Sequence, residues 1–202
     1  NKTRDGRLDH GGYWRCEQEW PLGRTKYTKF YLNTNGLLNT QWPDVKSSST
    51  SYLSDPNNPV PTIGGNFSSL YYLKPLPLNI DLKLIPSVER REHITPMGGF
   101  DQHESSDFFG SKPPYLPLAS RSDVLVFQSN PLDYDIEVTG SPSIELWISS
   151  STPDTDFTAK LIDVYPPNED YPQGYALNLT DSILRARYRN NRDRGELMEL
   201  EE

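Results

Sequence analysis

Three histidines, a single cysteine and a scatter of serines and carboxylates are the groups here that can carry covalent chemistry. Acyl transfer by a serine needs a base beside the nucleophile and a carboxylate behind the base. Asp101-Gln102-His103-Glu104-Ser105-Ser106 crowds all three types. Adjacency along a chain does not create triad geometry, so His103 reads as a loop histidine, and His10 and His93 stand apart from it. The strand-to-helix elbow Gly-x-Ser-x-Gly is absent. No Cys/His cluster has zinc spacing. Asp154, Asp156 and Asp181 offer oxygens to a Ca²⁺ ion, which takes roughly 6–8 of them, but the same short carboxylates serve as turn caps. Gly64-Gly65 and Gly98-Gly99 are isolated pairs and make no phosphate loop. The sequence therefore predicts no catalytic residue, no metal and no cofactor of its own.

The elements that would position these residues read as β-structure. Asp154 to Tyr165 opens as a turn and becomes a strand. Phe157, Ala159 and Leu161 share one parity, and Thr158 and Lys160 take the other. Asp163 falls on the apolar parity. Either a bulge shifts the register there, or its carboxylate sits at an inner rim with Arg185 or Arg187 as cationic partner. Tyr175 to Leu179 and Ile183 to Tyr188 read as two short strands, the second with Leu184, Ala186 and Tyr188 inward. Asp123 to Gln128 is apolar on both parities and predicts a central strand covered on both faces. Ile144, Leu146 and Ile148 share a face with Trp147 on the other, which makes Trp147 a candidate domain-docking contact.

Upstream, Tyr13 to Pro21 alternates bulky and polar residues and predicts an edge strand ending at proline. Tyr27 to Leu32 predicts another strand. Asn35-Gly36 predicts a hairpin, because both central positions of a type I′ turn need φ > 0. Residues 66–122 form a long Pro-rich stretch with little periodicity, apart from a short helix expected at Ser87 to His93. Its Leu, Tyr and Phe content argues for contact with another surface rather than disorder.

Composition bounds the alternatives. Apolar residues make up 34% of 202, with 18 prolines and 13 glycines. That balance suits a turn-rich β protein better than a helix bundle. No apolar run approaches the length needed to span a bilayer, so no membrane partner is expected. The net charge of −8 disfavours a phosphate backbone. The cluster Arg185, Arg187, Arg189, Arg192 and Arg194 is followed at once by an acidic tail, so no nucleic-acid partner is expected either. Cys16 is alone, which rules out an internal disulfide. Asn1-Lys2-Thr3, Asn66-Phe67-Ser68 and Asn178-Leu179-Thr180 match the glycosylation acceptor pattern.

Several motifs occur in one order: Trp20-Pro21-Leu22, Pro59-Val60-Pro61-Thr62-Ile63-Gly64-Gly65, Asp101-Gln102, Asp123 to Phe127, Glu137-Val138-Thr139-Gly140, Asp154 to Val164, and Ile183 to Tyr188. Together they resemble the C-terminal non-catalytic domain of the X-Pro dipeptidyl-peptidase / cocaine esterase class of serine hydrolases. That class includes acyl esterases, α-amino-acid ester hydrolases and glutaryl acylases. The resemblance implies an all-β fold, a jelly-roll β-sandwich of the galactose-binding-like type over residues 13–202. Residues 1–12 would be an arm from a preceding α/β-hydrolase catalytic domain that carries the triad. It further implies that Asn66, Phe67, Leu70, Tyr71 and Tyr72 help wall an acyl pocket. The sandwich is expected to be incomplete at its C-terminus, with the missing strands supplied from elsewhere. Two other functions compete. One is a carbohydrate-binding module using Trp42 and Trp147; the other is a free-standing hydrolase.

Overall fold

The computed structural model describes residues 14–45, 47–66 and 98–199. Among them regular structure consists of four β-strands and three short 3-10 turns, with no α-helix. The chain is therefore all-β in its described part. The expected helix at 87–93 lies outside the described residues. The chain divides into two compact units, one within Asn1–Ser54 and Arg121–Ser143, the other within Asp55–Ser120 and Ile144–Glu202.

In the first unit, β1 (Tyr31–Leu32) pairs antiparallel with β2 (Leu38–Asn39). Asn35 and Gly36 both take positive φ, 61° and 71°, as a type I′ turn demands. The strand expected over Tyr27 to Leu32 is thus shortened to its last two residues. The covered central strand expected over Asp123 to Gln128 is not present. Leu125 and Val126 are 41% and 44% exposed, and a lone parallel bridge joins Gln128 to Leu37. The edge strand expected before Pro21 makes no ladder either, and Trp14 is fully exposed. What ties this unit is charge. Arg15 reaches both Glu17 and Glu137, and Arg24 makes a bidentate contact with Glu17. The hydrogen bond from Arg15, and after it that from Thr139, holds the Glu137 carboxyl down to about 2.

The second unit is built on β3 (Asp156–Tyr165) and β4 (Tyr175–Arg185), paired antiparallel from Asp156↔Arg185 to Tyr165↔Tyr175. The two short strands expected around Asp181-Ser182 are one continuous strand. Phe100 to Gln102 adds to the other edge of β4, with Gln102 N–H donating to Ala176 O at 3.0 Å and Asn178 N–H to Phe100 O at 3.1 Å. His103↔Pro117 adds a further row. Residues 98–103 and 116–118 are thus hydrogen-bonded into rows beside β4, within a stretch whose residues show little periodicity.

A register shift falls between Leu161 and Ile162 of β3. Thr180 stands opposite Leu161 and Asn178 opposite Ile162, so Leu179 is the extra residue, a bulge in β4. The bulge lies on the partner strand, and β3 keeps its alternation. Asp163 therefore stays on the Phe157–Leu161 face, where it accepts a hydrogen bond from Tyr165 and pairs with neither arginine. The bulge also reverses parity along β4. Asn178 turns to the Lys160 face while Thr180 stays on the Leu161 face. The core follows from this. Asn178, Gln102, Leu118, Ile63 and Ala186 are buried, and by the pairing the first three sit on the Lys160 face, where Thr158 and Val164 are themselves exposed.

Candidate functional site

The most tightly constructed part of the second unit is the neck where the Gly pairs meet β4. Gly65 and Gly98 exchange two backbone hydrogen bonds, 2.8 and 2.9 Å. Gly65 has φ +118°, and a Cβ there would collide with the Asp181 carboxylate, so only glycine fits without strain. Asp181 Oδ1 accepts the Asn66 N–H at 2.8 Å. Asn66 Nδ2 donates to Asp181 O at 2.6 Å and to Thr180 Oγ1 at 3.0 Å. Gln102 Nε2 donates to Ile63 O at 2.8 Å and Phe100 O at 3.1 Å. The turn at 63–66 is thereby fastened to both β4 and the 100–102 row.

Asn66 is thus a pinned residue at the root of residues 67–97. Phe67, Leu70, Tyr71 and Tyr72, expected beside it as a pocket wall, lie outside the described residues. Lys160 stands opposite Asp181 across the pair. Burial pulls its ammonium pKa down, against the attraction of Asp181.

At the far end of the hairpin the carboxylates and arginines sort into two pairs. Arg185 makes a bidentate contact with Asp156, 2.8 and 2.9 Å. Arg187 binds Asp154 through Nε at 2.6 Å and through its backbone N–H at 3.0 Å. The Arg185 hydrogen bond holds the Asp156 carboxyl low against a burial penalty. Burial pushes the Asp154 carboxyl up, but the Arg187 side chain and N–H outweigh it and leave it low. Asp154, Asp156 and Asp181 thus have separate partners, and no cluster of metal-binding side chains occurs among the described residues. The arginines offered to nucleic acid are likewise engaged in part, with Arg189 donating to Glu196 O and Ala186 O.

His103 Nδ1 lies 3.0 Å from Glu104 O, and among the described residues no serine or carboxylate side chain is hydrogen-bonded to it. His10 and His93 lie outside the described residues. Trp147 is 98% exposed, between Ile144 at 54% and Leu146 at 43%. Their segment makes no ladder among the described residues, although alternation predicted a strand. Asn178 is 2% exposed, so its acceptor pattern is closed to glycosylation in the folded chain. Sequence reasoning missed the neck because its partners are over a hundred positions apart, as with Asn66 and Asp181. The available signal was the Gly pairs themselves.

Comparison with known proteins decides the family. Residues 1–199 match the X-Pro dipeptidyl-peptidase C-terminal non-catalytic domain. The chain belongs to this family. It is also 35% identical over 184 residues to the cocaine esterase of Rhodococcus sp. (strain MB1 Bresler), covering 87% of this chain and 25% of that protein. The chain thus spans about a quarter of the length of this relative. No solved structure matches it.

Proposed function

We propose that this domain serves an α/β-hydrolase-type serine hydrolase that cleaves ester or amide bonds, by packing on the catalytic domain and helping to wall its acyl pocket. The match of residues 1–199 to a non-catalytic hydrolase domain carries this reading. The exposed apolar surface supports it. Trp147, Ile144 and Leu146 are left in water by the second unit, and a tryptophan so exposed is a typical buried anchor of an interface. In this reading the fold is a jelly-roll sandwich of the galactose-binding-like type, extending over 13–202. Residues 1–12 link it to the catalytic domain. Asn66 fixes the root of the wall, and Phe67, Leu70, Tyr71 and Tyr72 extend it.

The test uses the complete enzyme. Phe67→Ala and Tyr71→Ala should change KM across a series of acyl-chain lengths while leaving thermal stability in place. Unchanged preference for every acyl group in both variants would remove the pocket role.

Carbohydrate binding remains a second reading because Trp42 is 76% exposed and Trp147 98%. Trp42 already packs edge-on against Tyr31, with centroids 5.1 Å apart, which leaves it less free to stack on a sugar. Glycan-array binding by the isolated chain, lost on Trp147→Ser, would favour this reading over docking.

A further inference from the structure

Among the described residues, three polar side chains on the Lys160 face of the β3–β4 sheet carry covered atoms with no hydrogen-bond partner. Asn178 is 2% exposed, and both Oδ1 and Nδ2 lack hydrogen bonds. Gln102 is 6% exposed; its Nε2 is used twice, but its Oε1 is unpaired. Lys160 Nζ is covered and also unpaired. A buried polar atom left bare costs free energy, so native structures supply it with a partner.

The backbone pairing places these three residues on one face, in adjoining rows. Asn178 and Lys160 are diagonal neighbours on one face, because Ile162 opposes Asn178 and Asp181 opposes Lys160. Such diagonal positions are within reach of long side chains. Gln102 lies on the next row, and its Nε2 and the Asn178 N–H both donate to Phe100 O. The Gln102 carboxamide thus folds over the residue paired with Asn178.

The chemistry of the set selects the ligand. Gln102 Oε1 and Asn178 Oδ1 need donors, while Asn178 Nδ2 and Lys160 Nζ need acceptors. An anion would satisfy only the donors and leave both carbonyl oxygens bare. A metal cation would be repelled by the Lys160 ammonium. The neighbouring carboxylate, Asp181, already accepts the Asn66 N–H. A water molecule both donates and accepts, and buried waters make about three hydrogen bonds to such groups.

We propose that this face holds internal water bridging Asn178, Gln102 and Lys160, a hydrated seam between β3, β4 and the 100–102 row, directly beneath the Gly65–Asn66 neck. The bulge at Leu179 creates the site, because without the parity change Asn178 would face the other side.

The experiment is water–amide cross-relaxation by NMR on the ¹⁵N-labelled 202-residue chain. The Asn178 and Gln102 side-chain NH₂ groups are assigned through bonds. Contacts with the sign of long-lived water are expected at Asn178 Nδ2. In Asn178→Leu the water contact should vanish from Gln102, and Tm should fall by about 2–8 °C as the remaining groups lose their bridge. Fast-exchanging or absent water at both carboxamides of the folded wild-type chain would overturn the proposal. So would both carboxamides proving bonded directly to protein oxygens. The wild-type spectrum decides the matter even if the variant fails to fold.

Discussion

Asn66 and Asp181 hold each other twice. The Asn66 N–H donates to Asp181 Oδ1 at 2.8 Å, and Asn66 Nδ2 donates to the Asp181 carbonyl at 2.6 Å. One residue of the Gly-Gly turn is thereby locked to the middle of β4. The place where residues 67–97 begin is set by the sheet and not by local sequence.

The turn depends on glycine at position 65. Gly65→Ala must both adopt φ +118° and push aside the Asp181 carboxylate. It should destabilise the chain by about 2–3 kcal/mol in urea unfolding. Gly98→Ala shares an unfavourable φ of +114° but has open space around it, so its loss should be smaller, about 1 kcal/mol. Equal effects would deny the Asp181 contact its role.

Asn66→Ala removes the donors to Thr180 and Asp181 but keeps the backbone bond. A loss of roughly 1 kcal/mol is expected, since each exposed hydrogen bond contributes modestly. In the complete enzyme the same change should alter acyl-group preference. Altered stability with unchanged preference would leave Asn66 a purely structural pin.

Acid should loosen the ion pairs in a set order. The carboxyls of Glu137, Asp154 and Asp156 are all held below their ordinary values in the folded chain. A depressed carboxyl contributes stability that is present above its unfolded pKa and lost as pH falls through the folded value. Stability should therefore decline below about pH 4.5, with the Glu137 contribution persisting toward pH 2. Glu137→Gln should flatten this last part of the profile, read as urea midpoint against pH. A wild-type profile identical to that of Glu137→Gln would show that the Arg15–Glu137 contact contributes nothing.

Lys160 runs the other way. Its folded pKa is lowered, so the unfolded chain binds more protons between the two values and stability rises with pH through that window. Lys160→Met should remove the rise and be no less stable than wild type at pH 7, since it takes away a buried charge. A clear loss of stability at pH 7 would mean that the attraction to Asp181 outweighs burial.

The sequence and the structure agree where local rules decide. Asn35-Gly36 forms its turn because the required φ is written in those two residues. The Phe157–Leu161 alternation produces β3, and the described residues are all-β. Agreement fails where a long-range partner decides. Thr158 is exposed as its parity predicts, but Lys160 is half-buried, and Asn178, Gln102 and Leu118 are buried on its side of the sheet, a placement no periodicity announces. For Asp163 the residues leave a bulge or an arginine partner open; a register shift falls close by, with its extra residue on β4, while Arg185 and Arg187 pair with Asp156 and Asp154, nearer the open end of the hairpin. Val124 to Phe127 and Ile144 to Ile148 carry the residues of strands but no ladder among the described residues. Leu125, Val126, Ile144, Leu146 and Trp147 are exposed, as edges without a neighbouring strand leave such side chains.

Trp147→Ser should leave the fold of the isolated chain intact, within about 0.5 kcal/mol, because the side chain is exposed. It should weaken association with the catalytic domain by roughly tenfold or more, as interface tryptophans do. Calorimetric titration reads both partners. Undiminished affinity would move the docking surface away from Ile144–Leu146–Trp147.

The most direct measurement is kcat/KM for an acyl ester with the catalytic α/β domain of the host hydrolase alone, before and after this chain is added in trans. The account predicts no turnover by the chain itself and at least a tenfold rise in kcat/KM, with a changed acyl preference, when the two are combined. Turnover by the isolated chain, or a catalytic domain whose rate and substrate range are indifferent to its addition, would contradict it.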